Sequence, residues 1–352
     1  MPNSISSGAE RRRCCAPNYS ARATRTRRAV ESVKATGGHL PEEDLMPTMQ
    51  KPSNTETKKA IRRYWDAHPI STDSVPHEPG TRESFEAIYA KWKETIDDRR
   101  MQFLADCRGK EVLEVGCGIG KDARFLTENG IDYTGLDYSF RTLQLAQKHL
   151  EFAGLRKRFV NGDATSLPFG DNRFGLVMSI GVLHHVPGTA EACREAMRVA
   201  RPGGSVRIMF YNRHSYHYAL VNYVVRPLIW LMLALPPLRA LLRAGPEKLR
   251  QMFAVCKEDG FSRERVLAIS ADTSFAGQDN FIPHSGFYTE KEMRRLFDGM
   301  EEFRFFRGDL KYFPLTFLRK FAEARWGFFL TMTARKPDQE KAKSSETTDK
   351  HR

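Results

Sequence analysis

The sequence predicts an α/β fold, a doubly wound parallel sheet with helices on both faces, from three observations. Strand-like and helix-like runs alternate from Glu111 to about Tyr211, the order that crossover-connected parallel strands require. The stretch Glu111–Asp122, EVLEVGCGIGKD, reads as a buried strand entering a turn with Gly116, Gly118 and Gly120, then a helix from about Lys121. Glycines at the carboxyl end of a strand let backbone approach a flat ligand, because no Cβ intervenes, and such sheets bind ligands in the crevice beyond the strand ends. Two further strand-like segments, Glu301–Arg307 and Trp326–Arg335, follow a helix that opens with Thr289 and Glu292 in capping-box spacing.

In chain order, residues 1–54 are rich in Arg, Ser, Thr, Pro and Gly without apolar periodicity, and are expected to be a disordered basic extension. Their arginines also suit an organellar transit peptide, or a stretch upstream of a start at Met46 or Met49. Order is expected from the short helix Thr55–Asp66, bearing Tyr64 and Trp65. One long amphipathic helix follows from about Arg82 to Cys107, its apolar residues mostly three and four apart. Residues 55–108 would form a helical cover in front of a core at 109–213.

The core strands are Val112–Val115, Tyr133–Leu136, Arg158–Asn161, Gly175–Ile180 and Ser205–Phe210, with helices near Lys121–Glu128, Phe140–Ala153 and Glu191–Ala200. Ser139 suits an N-cap and Gly154 a helix end, and Arg201-Pro202-Gly203-Gly204 reads as the turn before strand five. Residues 214–288 read as an apolar helical insertion or lid. Its longest charge-free run, Pro227–Leu238, has 12 residues with prolines inside, against the roughly 20 of a spanning helix. Core or lid packing, docking of 214–245 on a membrane surface with arginines at its edges, and a dimer interface all suit it. A helical stretch Pro246–Lys257 and a loop Ala271–Ser285 follow. Residues 289–336 carry the last helix and strands, with Gly308–Arg325 between those strands, and 337–352 form a charged tail expected to be disordered.

Glycine spacing narrows the ligand. A dinucleotide fingerprint, G-x-G-x-x-G from Gly116, would put its third glycine at Lys121, whereas here it falls at Gly120. Glu114, two residues before Gly116, would repel a pyrophosphate and welcome an ammonium group. Asp137, 17 residues after Gly120 at the end of the next strand, suits ribose hydroxyls. An amine at one end and a ribose at the other fit S-adenosyl-L-methionine better than NAD.

The segment resembles motif I of the class I S-adenosylmethionine-dependent methyltransferases. That resemblance implies a Rossmann-like seven-stranded sheet with an antiparallel last strand. It also implies a cofactor site built from Glu114, Gly116, Cys117, Gly118, Gly120, Asp137, Tyr138, Asp163, Ala164 and Ser179, with Asp163 on the adenine amino group and the Ala164 N–H on the ring. The competing reading of Asp163 is a turn aspartate bonding its own backbone. The stretch Ser179–Val186, SIGVLHHV, lacks the Asn/Asp-Pro-Pro-aromatic tetrad of members that modify bases or glutamine. It resembles instead the small-molecule methyltransferases, including the quinone-biosynthesis group. Y-W-D-x-H-P from Tyr64 and E-P-G-T-R-E-x-F from Glu78 resemble the front end of a bacterial subgroup. That subgroup often reads H-P-C-G where this chain has His68-Pro69-Ile70-Ser71, so no cysteine role carries over.

Methyl transfer from a sulfonium needs alignment and exclusion of water. A phenol or carbon acid also needs a base in histidine's range. His185 and then His184 are the candidates for that base, and Tyr211, His214, Tyr218, Tyr64, Trp65 and His68 for the acceptor pocket, each weighed against plain packing.

The formal charge is +13, of which residues 1–36 hold +6 and 335–352 hold +2, leaving a middle of +5 that gives weak support for nucleic acid. The six cysteines form no C-x-x-C or Cys/His ligand spacing, so neither a metal site nor a disulfide framework is indicated and a reducing, cytoplasmic setting is the default. The expected activity is methyl transfer from S-adenosyl-L-methionine to an oxygen or carbon of a small-molecule or lipid-like acceptor. An RNA or protein methyltransferase and a non-catalytic cofactor-binding scaffold stay open as rivals.

Overall fold

Residues Val112 to Val115 are all buried, which requires cover on both faces of the strand they form. That strand, β1 (Glu111–Val115), lies between parallel neighbours β2 (Asp132–Asp137) and β4 (Phe174–Ile180). The computed structural model describes residues 54–225, 284–310 and 316–338, with positions 227, 228, 231 and 250 besides. With β3 (Arg158–Asn161), β5 (Ala200–Asn212), β7 (Glu301–Gly308) and β8 (Phe329–Arg335), the sheet runs β3-β2-β1-β4-β5-β8-β7. β8 is antiparallel to both of its neighbours, as the resemblance implies. A two-residue strand, β6 (Phe287–Tyr288), adds an eighth, parallel to the end of β5.

Strand order reverses between β1 and β4, so the crevice beyond their carboxyl ends is the switch point where open sheets bind ligands. Alternation along β1 divides the core: Val112 packs in one cluster with Phe103, Leu104 and Leu126. Leu113 and Val115 join Val177, Phe297 and Leu330 in the other.

In front of β1 stand α1 (Asn54–Ala67), α2 (Arg82–Lys93) and α3 (Asp98–Cys107). The apolar spacing predicts a single helix from Arg82 to Cys107, and the structure breaks it in two. Asp97 is extended, with φ −115° and ψ 178°, and its carboxylate accepts the Arg100 N–H at 3.0 Å as the cap of α3. The Thr95 hydroxyl donates to the Trp92 carbonyl at 2.7 Å, a local bond that competes with the helical ladder. The crossover helices are α4 (Lys121–Glu128), α5 (Phe140–Phe152) and α6 (Thr189–Val199). Ser139 caps α5 as expected, accepting from Thr142 N–H at 3.0 Å, and Thr289 and Glu292 close a capping box on α8 (Glu290–Leu296).

Two boundaries differ from expectation. Residues 201–204 do not form a separate turn but belong to β5, whose pairing with β4 shifts register between Phe174 and Leu176. Trp326 ends a helix, α9 (Arg319–Trp326), so the last strand starts only at Phe329. After β5 come α7 (Tyr216–Leu220) and a π-helical turn, Val221–Val225. Residues 1–53, most of 226–283, 311–315 and 339–352 lie outside the described residues, and with them the expected extension, most of the run Pro227–Leu238 and of the helix Pro246–Lys257, and the charged tail.

Candidate active site

The glycine turn is shaped by close approach. Gly116 has φ +83°, and a Cβ there would collide with the methyl carbons of Val182, beyond β4. The N–H groups of Gly116 and Cys117 both donate to the Leu136 carbonyl, at 2.7 and 3.0 Å. The turn is thereby tied to the end of β2. There the Asp137 carboxylate accepts the Gly118 N–H at 2.9 Å with one oxygen and the Ser139 N–H at 2.9 Å with the other.

These groups border a cavity of about 330 Å³. Of the residues that sequence reasoning singles out for the cofactor, it is lined by Glu114, Gly116, Cys117, Gly118, Asp137, Tyr138, Asp163 and Ala164. Gly120 does not line it, but with φ +78° it starts α4. Glu114 is 3% exposed and accepts the Tyr133 hydroxyl at 2.5 Å. Burial first, and the Asp122 charge second, hold its carboxyl well above the ordinary range, although the tyrosine bond pulls the other way. Burial likewise raises Asp137, against the pull of its backbone donors. The cradle, one buried and one partly buried carboxylate and a mostly aliphatic and aromatic lining fit a flat ligand that carries an ammonium group and hydroxyls.

Asp163 sits where the resemblance puts it, yet its oxygens are occupied as in the competing reading. Oδ1 accepts the Thr165 N–H and hydroxyl at 2.9 and 2.8 Å, and Oδ2 accepts Lys58 Nζ at 2.7 Å. Burial would raise this carboxyl, but the lysine and threonine donors outweigh it and hold it below the usual range.

Ser179 departs from its expected role. It is fully buried, lies outside the cavity lining and donates its hydroxyl to the Val115 carbonyl at 2.8 Å, joining the ends of β4 and β1. Ser179→Ala is expected to lower stability by about 1 kcal/mol, which at this size lowers Tm by roughly 1–2 °C. Cofactor affinity should stay within about twofold, and a thermal melt with calorimetry reads both.

Of the two histidines, His185 lines the cavity with Tyr211, and its Nδ1 lies 2.9 Å from the His284 carbonyl oxygen. A carbonyl can only accept, so Nδ1 carries a proton there, which leaves Nε2 as the position where the ring can take up or give a proton. His184 is completely buried beneath, its ring 4.1 Å from that of His185 and 4.0 Å from Tyr211. Burial first, then the neighbouring His185 and His284, push its pKa well down. That makes His184 a neutral packing residue behind the wall, against its place among the candidate bases. Trp65 lines the cavity from α1, while His68 and Tyr218 stand outside its lining.

Four charged lining residues escape sequence reasoning: Lys58, Arg100, Lys121 and Asp122. Arg100 pairs with Asp122 at 2.8 Å, and Lys121 donates to the Ser71 hydroxyl at 2.9 Å. Lys121 and Asp122 stand directly after Gly120, a position that could have flagged them. Lys58 is 105 residues from Asp163 in sequence, and no local pattern marks it.

Residues 113–208 match a family model described as a methyltransferase domain. The strand order, with its antiparallel β8, agrees with the resemblance to the class I methyltransferases. Domains of this class take S-adenosyl-L-methionine as cofactor. The chain is similar to the phthiotriol/phenolphthiotriol dimycocerosates methyltransferase of Mycobacterium tuberculosis, 31% identical over 178 residues, 44% of this chain and 62% of the relative. It is 42% identical over 102 residues to the fatty-acid O-methyltransferase of Mycolicibacterium smegmatis, 28% of this chain and 36% of the relative. The chain therefore spans less than two thirds of the length of these curated relatives. A solved S-adenosylmethionine-dependent methyltransferase from Methanosarcina mazei aligns with a TM-score of 0.43 and 21% identity, covering 69% of this chain and 99% of that one.

Proposed function

We propose that the chain transfers a methyl group from S-adenosyl-L-methionine to an oxygen or carbon of a small-molecule or lipid-like acceptor. The observation that carries this reading is one cavity lined by Glu114, the open glycine turn and Asp137, at the switch point of a methyltransferase domain. In this reading Glu114 takes the ammonium group of the cofactor and Asp137 its ribose hydroxyls, with Gly116 and Gly118 admitting the ligand between them. The cofactor supplies the electrophilic sulfonium methyl, and the residues around it orient an acceptor and keep water out. The named acceptors of the two mycobacterial relatives, a dimycocerosate and a fatty acid, support an acceptor with lipid character. A soluble body with peripheral membrane contact suits such an acceptor; among the described residues no helix is long and apolar enough to cross a membrane.

The test is calorimetric. The cofactor and its demethylated product should bind to the full chain and NAD should not. Asp137→Asn loses the charge and turns its amide N–H against the Gly118 or the Ser139 N–H, so it should raise the cofactor Kd at least about tenfold, the step from a charge-assisted to a neutral hydrogen bond. An unchanged Kd would remove Asp137 from the site, and binding of NAD instead would overturn the reading.

A further inference from the structure

Exposed large apolar side chains on the described residues are concentrated in two stretches. After β5 they are Tyr223, Val224, Leu228 and Leu231, at 74, 54, 47 and 53% exposure. Between β7 and β8 they are Phe317, Leu318, Phe321 and Trp326, at 81, 41, 72 and 42%. Both stretches leave the sheet at one edge: Phe329, which opens β8, pairs with Tyr211 near the end of β5 and with Gly308 at the end of β7. Tyr211 and Phe329 also line the cofactor cavity. Both stretches therefore follow strand ends that lie beside that cavity.

Helix α9 shows how this surface is built. Ala322 is 1% exposed and the Glu323 carboxylate accepts the Asp309 N–H at 2.9 Å, so these two positions face the body. At 100° per residue, the opposite face carries Phe321, with Phe317 one turn before it. Lys320 and Arg325 flank that face on its two sides, and both are exposed. Arg319, Lys320 and Arg325 make no ion pair among the described residues, and the one carboxylate of α9 is turned inward. Aromatic rings outward, with cations beside them that have no ion-pair partner among the described residues, form an interfacial helix, whose complement is an anionic lipid surface.

We propose that this edge docks on an anionic membrane, with Phe317 and Phe321 entering the boundary between headgroups and acyl chains and Lys320 and Arg325 meeting lipid phosphates. Docked so, the cavity edge faces the layer that stores an acyl acceptor. That consequence rests on the lipid-like reading above, whereas the docking does not.

The experiment is sedimentation of the full chain with vesicles of phosphatidylcholine, alone or with about 30% phosphatidylglycerol, in the absence of any acceptor. Cofactor affinity measured in parallel confirms that each variant is folded, and tests the methyltransferase reading separately. The chain should bind the anionic vesicles. Phe317→Ser with Phe321→Ser should lower its partition coefficient at least about tenfold. Lys320→Glu with Arg325→Glu should lower it at least about tenfold on anionic vesicles and little on neutral ones. Failure of the wild-type chain to sediment, or sedimentation of both double variants like wild type, overturns the proposal. A wild-type dimer in light scattering that the two serines split also overturns it, since a second copy then covers this face.

Discussion

His185→Gln should lower turnover by about 10²- to 10⁴-fold when the methyl acceptor is a hydroxyl, the range typical of a lost general base. It should change turnover little when the acceptor is a carboxylate. The difference lies in the acceptor's own proton. A carboxylic acid is ionised at neutral pH and attacks the methyl carbon unaided, whereas a phenol or alcohol must lose a proton as the new bond forms. His185 is the imidazole that lines the cavity, and its Nδ1 is bonded to the His284 carbonyl, which leaves Nε2 as the position where it can take up a proton. Cofactor affinity should be unchanged in both cases, because the glycine turn, Glu114 and Asp137 are untouched. Single-turnover formation of S-adenosylhomocysteine, with a fatty acid and with a matched alcohol, separates the two outcomes. An equal loss with both acceptors would make His185 a packing residue and end its claim as a base.

How far the sequence reaches depends on the range of the forces at work. Strands β1, β2 and β4 are legible because each is a short, buried, largely apolar run, and the sheet needs them covered. The glycine turn is legible because positive φ and the methyls of Val182 leave no room for a side chain at 116. The break between α2 and α3 is not, since the apolar spacing continues across it and only the Asp97 cap ends the ladder. Within the site, Glu114 and Asp137 could be read from their distance to the glycines. Ser179 and His184 could not be separated from true lining residues, because both end up buried a single layer behind the wall. Lys58 lies wholly beyond local reasoning: only the docking of α1 brings its ammonium to Asp163.

Replacing Glu114 by Gln should move cofactor affinity and stability in opposite directions. An ammonium paired with a buried carboxylate loses about 2–3 kcal/mol when the partner becomes neutral, so the cofactor Kd should rise about 100-fold. The protein without cofactor should nonetheless become more stable near neutral pH. Burial and the Asp122 charge hold the Glu114 carboxyl above its unfolded value. A group raised in the folded state contributes its stability below the unfolded pKa and loses it as pH rises through the folded one. Wild type therefore carries a charging cost at pH 7 to 8 that the glutamine avoids, while the side-chain oxygen can still accept from Tyr133. The Tm advantage of the variant should shrink as pH falls toward about 4.5, where both side chains are neutral. Over the same range the wild-type chain should lose cofactor affinity, because the carboxyl must ionise to hold the ammonium group, and the variant should show a flatter profile. Thermal melts across pH, with and without cofactor, test both halves. A variant less stable than wild type at every pH would mean that the Glu114 charge stabilises the empty fold, and that the site is not held ready at the expense of stability.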